Sequence, residues 1–145
     1  MAQFRSPALL IGRNRRGLWV VRDPLGLRGG LFCPHIATGA PITYVACDED
    51  DRLLVVNLER GKVLGNGPLG HNPDVVAEDP LLKHPYVASE GGVLSVSTHR
   101  RQRILISWTM LFVGSDAPFV EIDPTTHRLF LPLRNLSDEA VLRIL

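Results

Sequence analysis

An aromatic residue heads an apolar run three times in this chain, at nearly even spacing. Tyr44, Tyr86 and Phe130 lie 42 and 44 residues apart, and Pro80 and Pro124, each following an aspartate, are also 44 apart. The middle copy shows the design: Tyr86-Val87-Ala88-Ser89, a glycine turn at Glu90-Gly91-Gly92, then Val93-Leu94-Ser95-Val96. The same arrangement spans Tyr44 to Leu58 and Phe130 to Leu145. A recurring unit of this size cannot bury its apolar faces alone and must stack on its neighbours. Architecture therefore follows from the spacing before any single residue is considered.

Composition narrows the class. The 145 residues suffice for one domain with a sizeable core. A hydrophobic content of 45% with 21% charged residues is that of a globular chain and excludes wholesale disorder. Thirteen Gly and eleven Pro favour turns over long helices. No apolar run approaches the roughly 18 residues of a membrane helix. The patch from Pro7 to Ile11 is shorter than a signal-peptide core, so the expectation is a cytoplasmic chain with no membrane partner. In that compartment Cys33 and Cys47 are expected as thiols. The net charge is +1, unevenly spread: residues 1–33 carry six arginines against Asp23, a local net of +5. This sets an expected boundary between a basic N-terminal β segment, 1–33, and a repeat region, 34–145.

In chain order, Ala8 to Ile11 and Leu18 to Val21 read as a basic β-hairpin around Arg13-Asn14-Arg15-Arg16-Gly17, closed off by Asp23-Pro24. Cys33 to Thr43 has no clear pattern. Ile42 to Cys47 and Leu53 to Leu58 read as a hairpin around Asp48-Glu49-Asp50-Asp51. Gly61 suits a tight turn, after which Lys62 to Leu64 pairs back. Asp74 to Glu78, Pro85 to Ser89 and Val93 to Ser97 form the second unit. His99 to Gln102 form a turn, and Arg103 to Phe112 reads as a strand buried on both faces, although its length alone would also allow a helix. Phe119 to Ile122 and Leu129 to Leu133 open the third unit. Ala140 to Ile144 is expected as its return strand, although Ser137-Asp138-Glu139 could instead cap a short helix.

A period of about 40–45 residues with several short strands per unit is the signature of a propeller blade. Residues 43–135 resemble the YVTN-repeat β-propeller family, seven-bladed relatives of the WD-repeat proteins. The resemblance rests on Tyr-Val-Ala-Cys-Asp-Glu-Asp-Asp-Arg-Leu-Leu-Val-Val-Asn-Leu, Gly-His-Asn-Pro-Asp-Val-Val-Ala-Glu-Asp-Pro, Tyr-Val-Ala-Ser-Glu-Gly-Gly-Val-Leu-Ser-Val and Ile-Asp-Pro-Thr-Thr-His-Arg-Leu-Phe. The chain departs from the repeat where Glu78 takes an apolar strand position and where Pro85 and Pro132 fall in strands. Three units are also fewer than the roughly four to eight of a closed ring. The expected fold is all-β: a partial β-propeller-like stack of about three antiparallel sheet units preceded by the basic N-terminal β-hairpin.

No residue set commits the chain to catalysis. Gly65-Asn66-Gly67-Pro68-Leu69-Gly70 fits G-x-G-x-x-G literally. Pro68, Pro73 and the β-rich Val75-Val76 leave no room for the helix that a dinucleotide loop must open, so it reads as a loop between units. Asp48 to Asp51 lack the spacing and glycine of a calcium loop, and read as a solvated hairpin tip. His35, His71, His84, His99 and His127 form no H-x-x-x-H pair. A zinc site from Cys33, His35, Cys47 and His71 would require the fold to assemble it, and His84 and His127 read as exposed loop residues. No cofactor and no metal is expected. The favoured reading is a non-enzymatic repeat protein offering an interaction or scaffold surface, truncated or fused, with an unknown protein partner and self-association through open sheet edges. The alternative is a nucleic-acid-binding module led by the basic hairpin, where Arg13, Arg15 and Arg16 would contact an anion or partner. The absence of an aromatic stacking platform disfavours nucleic acid.

Overall fold

The computed structural model describes residues 10–13, 19–22, 31–36, 41–100 and 103–145. They form thirteen strands and no helix: β1 (Leu10–Arg13), β2 (Trp19–Arg22), β3 (Leu31–Ile36), β4 (Ile42–Cys47), β5 (Arg52–Asn57), β6 (Lys62–Pro68), β7 (Pro73–Asp79), β8 (His84–Ser89), β9 (Val93–Arg100), β10 (Arg103–Phe112), β11 (Glu121–Asp123), β12 (Arg128–Leu136) and β13 (Glu139–Ile144). They build three antiparallel sheets. The first has the order β2-β1-β6-β5-β4-β3, the second β10-β9-β8-β7 and the third β11-β12-β13. The basic hairpin β1–β2 adds to the outer side of the first sheet through Leu10 opposite Lys62. The expected boundary after residue 33 falls inside β3, which pairs with β4 in the same sheet.

The sheets stack because alternate strand residues leave each sheet with two apolar faces. Tyr44, Ala46, Leu53, Val55 and Leu69 of the first sheet meet Val76 and Val87 of the second. On the other face of the second sheet, Tyr86, Ala88 and Leu94 meet Val120, Leu129, Leu131 and Leu133 of the third. The short inner strands are neighbours too: β7 touches β3 and β4 on one side and β11 on the other.

The repeat holds at the level of single hydrogen bonds. After each Asp-Pro step, Lys83 N donates to Asp79 O and His127 N to Asp123 O, both at 2.8 Å. Lys83 and His127, 44 residues apart, share a left-handed backbone at φ 57° and 59°. The opposite end repeats as well. Leu69 N donates to Asp51 O as Val113 N does to Gly92 O, and Glu90 N donates to Asn72 O as Arg134 N does to Asp116 O.

Several expectations need correction. β3 runs through the patternless stretch from Cys33. It is kinked there, with a register shift between Phe32 and His35 around Pro34, which hides its alternation. Gly65 to Pro68 are not a loop but the end of β6. Gly67 is there because the indole of Trp108 lies across it: a Cβ would fall 1.7 Å from the ring. Met110, Leu111 and Phe112 of β10 are exposed, and β10 is an edge strand of its sheet. Pro85 and Pro132 occupy middle strands, but at positions with a partner on one side only: β9 pairs with β8 from Tyr86, and β11 with β12 only to Phe130. The tail is a strand, as Ala140 to Ile144 suggested.

Candidate functional site

The polar features that the stacking creates lie at opposite ends of the second sheet. At one end, the β4–β5 turn of the first sheet meets the segment entering β7. Asp51, in a left-handed conformation, holds that segment: its carboxylate accepts from Asn72 N at 3.0 Å and faces His71 Nδ1 at 3.1 Å. The aspartate-rich turn is therefore docked at Asp51 rather than wholly solvated. Beside it opens a recess of about 290 Å³, lined by Asp48, Asn72, Pro73, Asp74 and Glu90. The three carboxylates come from the first sheet's turn, the start of β7 and the β8–β9 turn. Asp74 and Glu90 belong to the second sheet and Asp48 to the first, so the recess lies where the two sheets meet. Such a recess presents hydrogen-bond acceptors and negative charge, which suits ammonium or guanidinium donors.

At the other end, Asp79 is fully buried where β7 ends. One carboxylate oxygen accepts from Leu81 N and Leu82 N at 2.9 Å each, and the other lies 2.5 Å from His127 Nδ1 of the third sheet. A carboxylate can only accept, so this ring nitrogen carries the proton. Burial pushes the Asp79 carboxyl up, but the Leu82 amide, His127 and the Leu81 amide outweigh it and hold it below the usual carboxylate range. One residue earlier, the buried Glu78 hydrogen-bonds the hydroxyl of Tyr44 in the first sheet. Burial, then the charge of Glu78, pushes the Tyr44 hydroxyl far above its ordinary value. The apparent misfit Glu78 is thus a link between sheets. Asp123, the counterpart of Asp79, is satisfied within its own turn: Thr126 Oγ1 donates at 2.6 Å and Thr125 N at 2.9 Å, and these hold its carboxyl low.

The structure does not gather the sequence candidates into one site. Arg13 sits in β1 opposite Trp19, while Arg15 and Arg16 lie outside the described residues. The zinc combination is not assembled: Cys47 is a fully buried thiol, whereas the side chain of His71 is 77% exposed. Among the described residues, no group of three or more His, Cys, Asp or Glu is placed to share a metal ion. His84 is half-buried and packs edge-on to Tyr86, with ring centroids 6.5 Å apart. His127 is on a turn as expected, but reaches a buried partner 48 residues earlier. The G-x-G-x-x-G glycines serve packing. Gly67 lies under Trp108, and at Gly70 a Cβ would approach Val93 to 2.6 Å while the amide donates to Ser95 Oγ at 3.0 Å.

No family model and no curated protein matches the chain. Among solved structures it is similar to hydrazine synthase from Kuenenia stuttgartiensis, with a TM-score of 0.69 and 19% identity over 87% of this chain. It is also similar to a functionally unknown protein from Desulfotomaculum acetoxidans, with a TM-score of 0.62 and 12% identity over 92%. The chain spans 36% and 52% of the length of those two chains. At such identities the likeness is one of fold. No helix among the described residues is long and apolar enough to cross a membrane.

Proposed function

We propose that this chain is a non-enzymatic, β-propeller-like repeat module of the YVTN kind, a cytoplasmic interaction surface whose partner is a protein. The observation that carries the reading is the recess between the first two sheets. It is lined by three carboxylates, Asp48 and Glu90 on turns and Asp74 at the start of β7, above the packed sheets. Loops on a fixed scaffold are where a repeat fold places recognition. The chemistry of Asp48, Asp74 and Glu90 points to a basic segment of the partner.

Calorimetric titration with an arginine- and lysine-rich peptide tests this, with a glutamate-rich peptide of equal length as control. Saturable binding of the basic peptide is expected, weakened by salt and abolished by the double change Asp74→Lys and Glu90→Lys. Absence of binding, or binding indifferent to that double change, overturns it. The second reading, nucleic acid on the basic hairpin, is motivated by the +5 charge of residues 1–33. It requires an oligonucleotide to bind at low salt and to be lost on changing Arg13, Arg15 and Arg16 to Ala.

A further inference from the structure

We infer that the recess between the first two sheets takes an arginine side chain of the partner, an inference that rests on reading that recess as the recognition site. The chain carries its own template for the contact at the other joint. Asp48, Glu90 and Arg134 each lie four residues after an aromatic that heads an apolar run, Tyr44, Tyr86 and Phe130. The segments entering the second and third sheets match as well. Asn72 and Asp116, 44 apart, both have a left-handed backbone, at φ 51° and 56°. Glu90 N donates to Asn72 O at 2.9 Å, and Arg134 N to Asp116 O at 3.1 Å. One backbone frame thus stands at both joints with different side chains on it.

At the second joint the frame is occupied from within. Arg134 Nη1 lies 3.7 Å from Asp116 Oδ1, and its guanidinium carbon lies 6.0 Å from the ring centroid of Phe119. At the first joint the equivalent place carries a carboxylate, Glu90, and Asp48 and Asp74 line the recess with it. Three carboxylates around a recess of about 290 Å³ attract a cation from outside. The shape of that cation follows from where the carboxylates come from. They stand on three separate segments, the β4–β5 turn, the start of β7 and the β8–β9 turn. A flat group with five donors spread around its rim can address more than one of them at once. A lysine ammonium offers a single compact charge instead.

Calorimetric titration of the whole chain with three peptides of equal length tests this, their basic positions filled by arginine, by lysine or by citrulline. The arginine peptide should bind about tenfold more tightly than the lysine peptide, the effect of one further charge-assisted hydrogen bond. The citrulline peptide keeps the shape without the charge and should not bind. Glu90→Arg should set a guanidinium of the chain's own in the recess, as Arg134 does at the second joint, and abolish binding with an unchanged strand spectrum. Should that variant fail to fold, Glu90→Gln supplies the second measurement and should weaken the arginine peptide by about tenfold. Equal affinity for arginine and lysine, binding of the citrulline peptide as tight as that of arginine, or arginine binding untouched at Glu90 overturns the assignment. Equal affinity for arginine and lysine leaves the recess standing as a site for basic partners. Failure of every peptide to bind overturns that reading too, so the two are told apart.

Discussion

The two joints between sheets share a backbone plan but not a chemistry. At the first, a tyrosine hydroxyl from one sheet meets a buried glutamate from the next, Tyr44 to Glu78. At the second, a buried aspartate meets an imidazole from the next, Asp79 to His127, whose side chain is 39% exposed. The apolar parts differ in the same sense. The first joint sets flat β-branched residues, Val76 and Val87, against the preceding sheet, while the second inserts the longer Leu129, Leu131 and Leu133. One architecture thus tolerates either polar pair, provided that each buried polar group finds a partner across the seam.

The largest test of this contrast is Leu131→Ala. Its side chain is fully buried at the second joint, and the change should cost about 2–5 kcal/mol in a urea melt. A loss below one kilocalorie would show that the third sheet is only loosely seated. Next comes Asp79→Ala, which strands two amides and the imidazole of His127 and should cost about 2–4 kcal/mol. Its acid behaviour sharpens the comparison. Because the folded Asp79 carboxyl is held low, its contribution is fully present above the ordinary carboxylate value near 4 and fades as pH falls through the folded value. Asp79→Asn should therefore flatten the acid limb of a stability–pH profile, and an unchanged limb would remove Asp79 from that role. Gly67→Ala, which drives a methyl into the indole of Trp108, should cost about 1–3 kcal/mol and alter the tryptophan emission. The smallest effect is expected from Tyr44→Phe, about 0.5–1.5 kcal/mol for one hydrogen bond. The sign of its pH dependence is opposite. A raised tyrosine hydroxyl contributes stability that is present below about pH 10 and lost in alkali, so the variant should lose part of the alkaline slope and none of the acid one.

Much of the fold was legible because spacing and turn chemistry are local. The Asp-Pro steps, the aromatic strand openings and Gly92 lie where the repeat puts them, and the three hairpins from Tyr44, Tyr86 and Phe130 form as read. What escaped notice depends on contacts between sheets. The strand at Leu31–Ile36 is masked by Pro34. Gly67 reads as a loop residue until Trp108, 41 positions later, is seen to lie on it. The exposure of Met110, Leu111 and Phe112 goes with an edge position that no apolar run of ten residues discloses. The candidate sites were the least legible of all. Nothing in the sequence pairs Asp79 with His127, or gathers Asp48, Asp74 and Glu90 around one recess. The only available hint was that Lys83 and His127 occupy the same place in two copies of a turn.

That turn has a consequence for how the second and third sheets depend on each other. In the third copy Thr126 supplies internally the hydrogen bond that the second copy takes from the following sheet, where Leu82 stands at the matching position. One aspartate is satisfied by its own turn; the other ties its turn to a neighbour. Replacing Leu82 by Thr should give Asp79 an internal donor and loosen its dependence on His127, while the apolar packing of Leu129, Leu131 and Leu133 still joins the sheets.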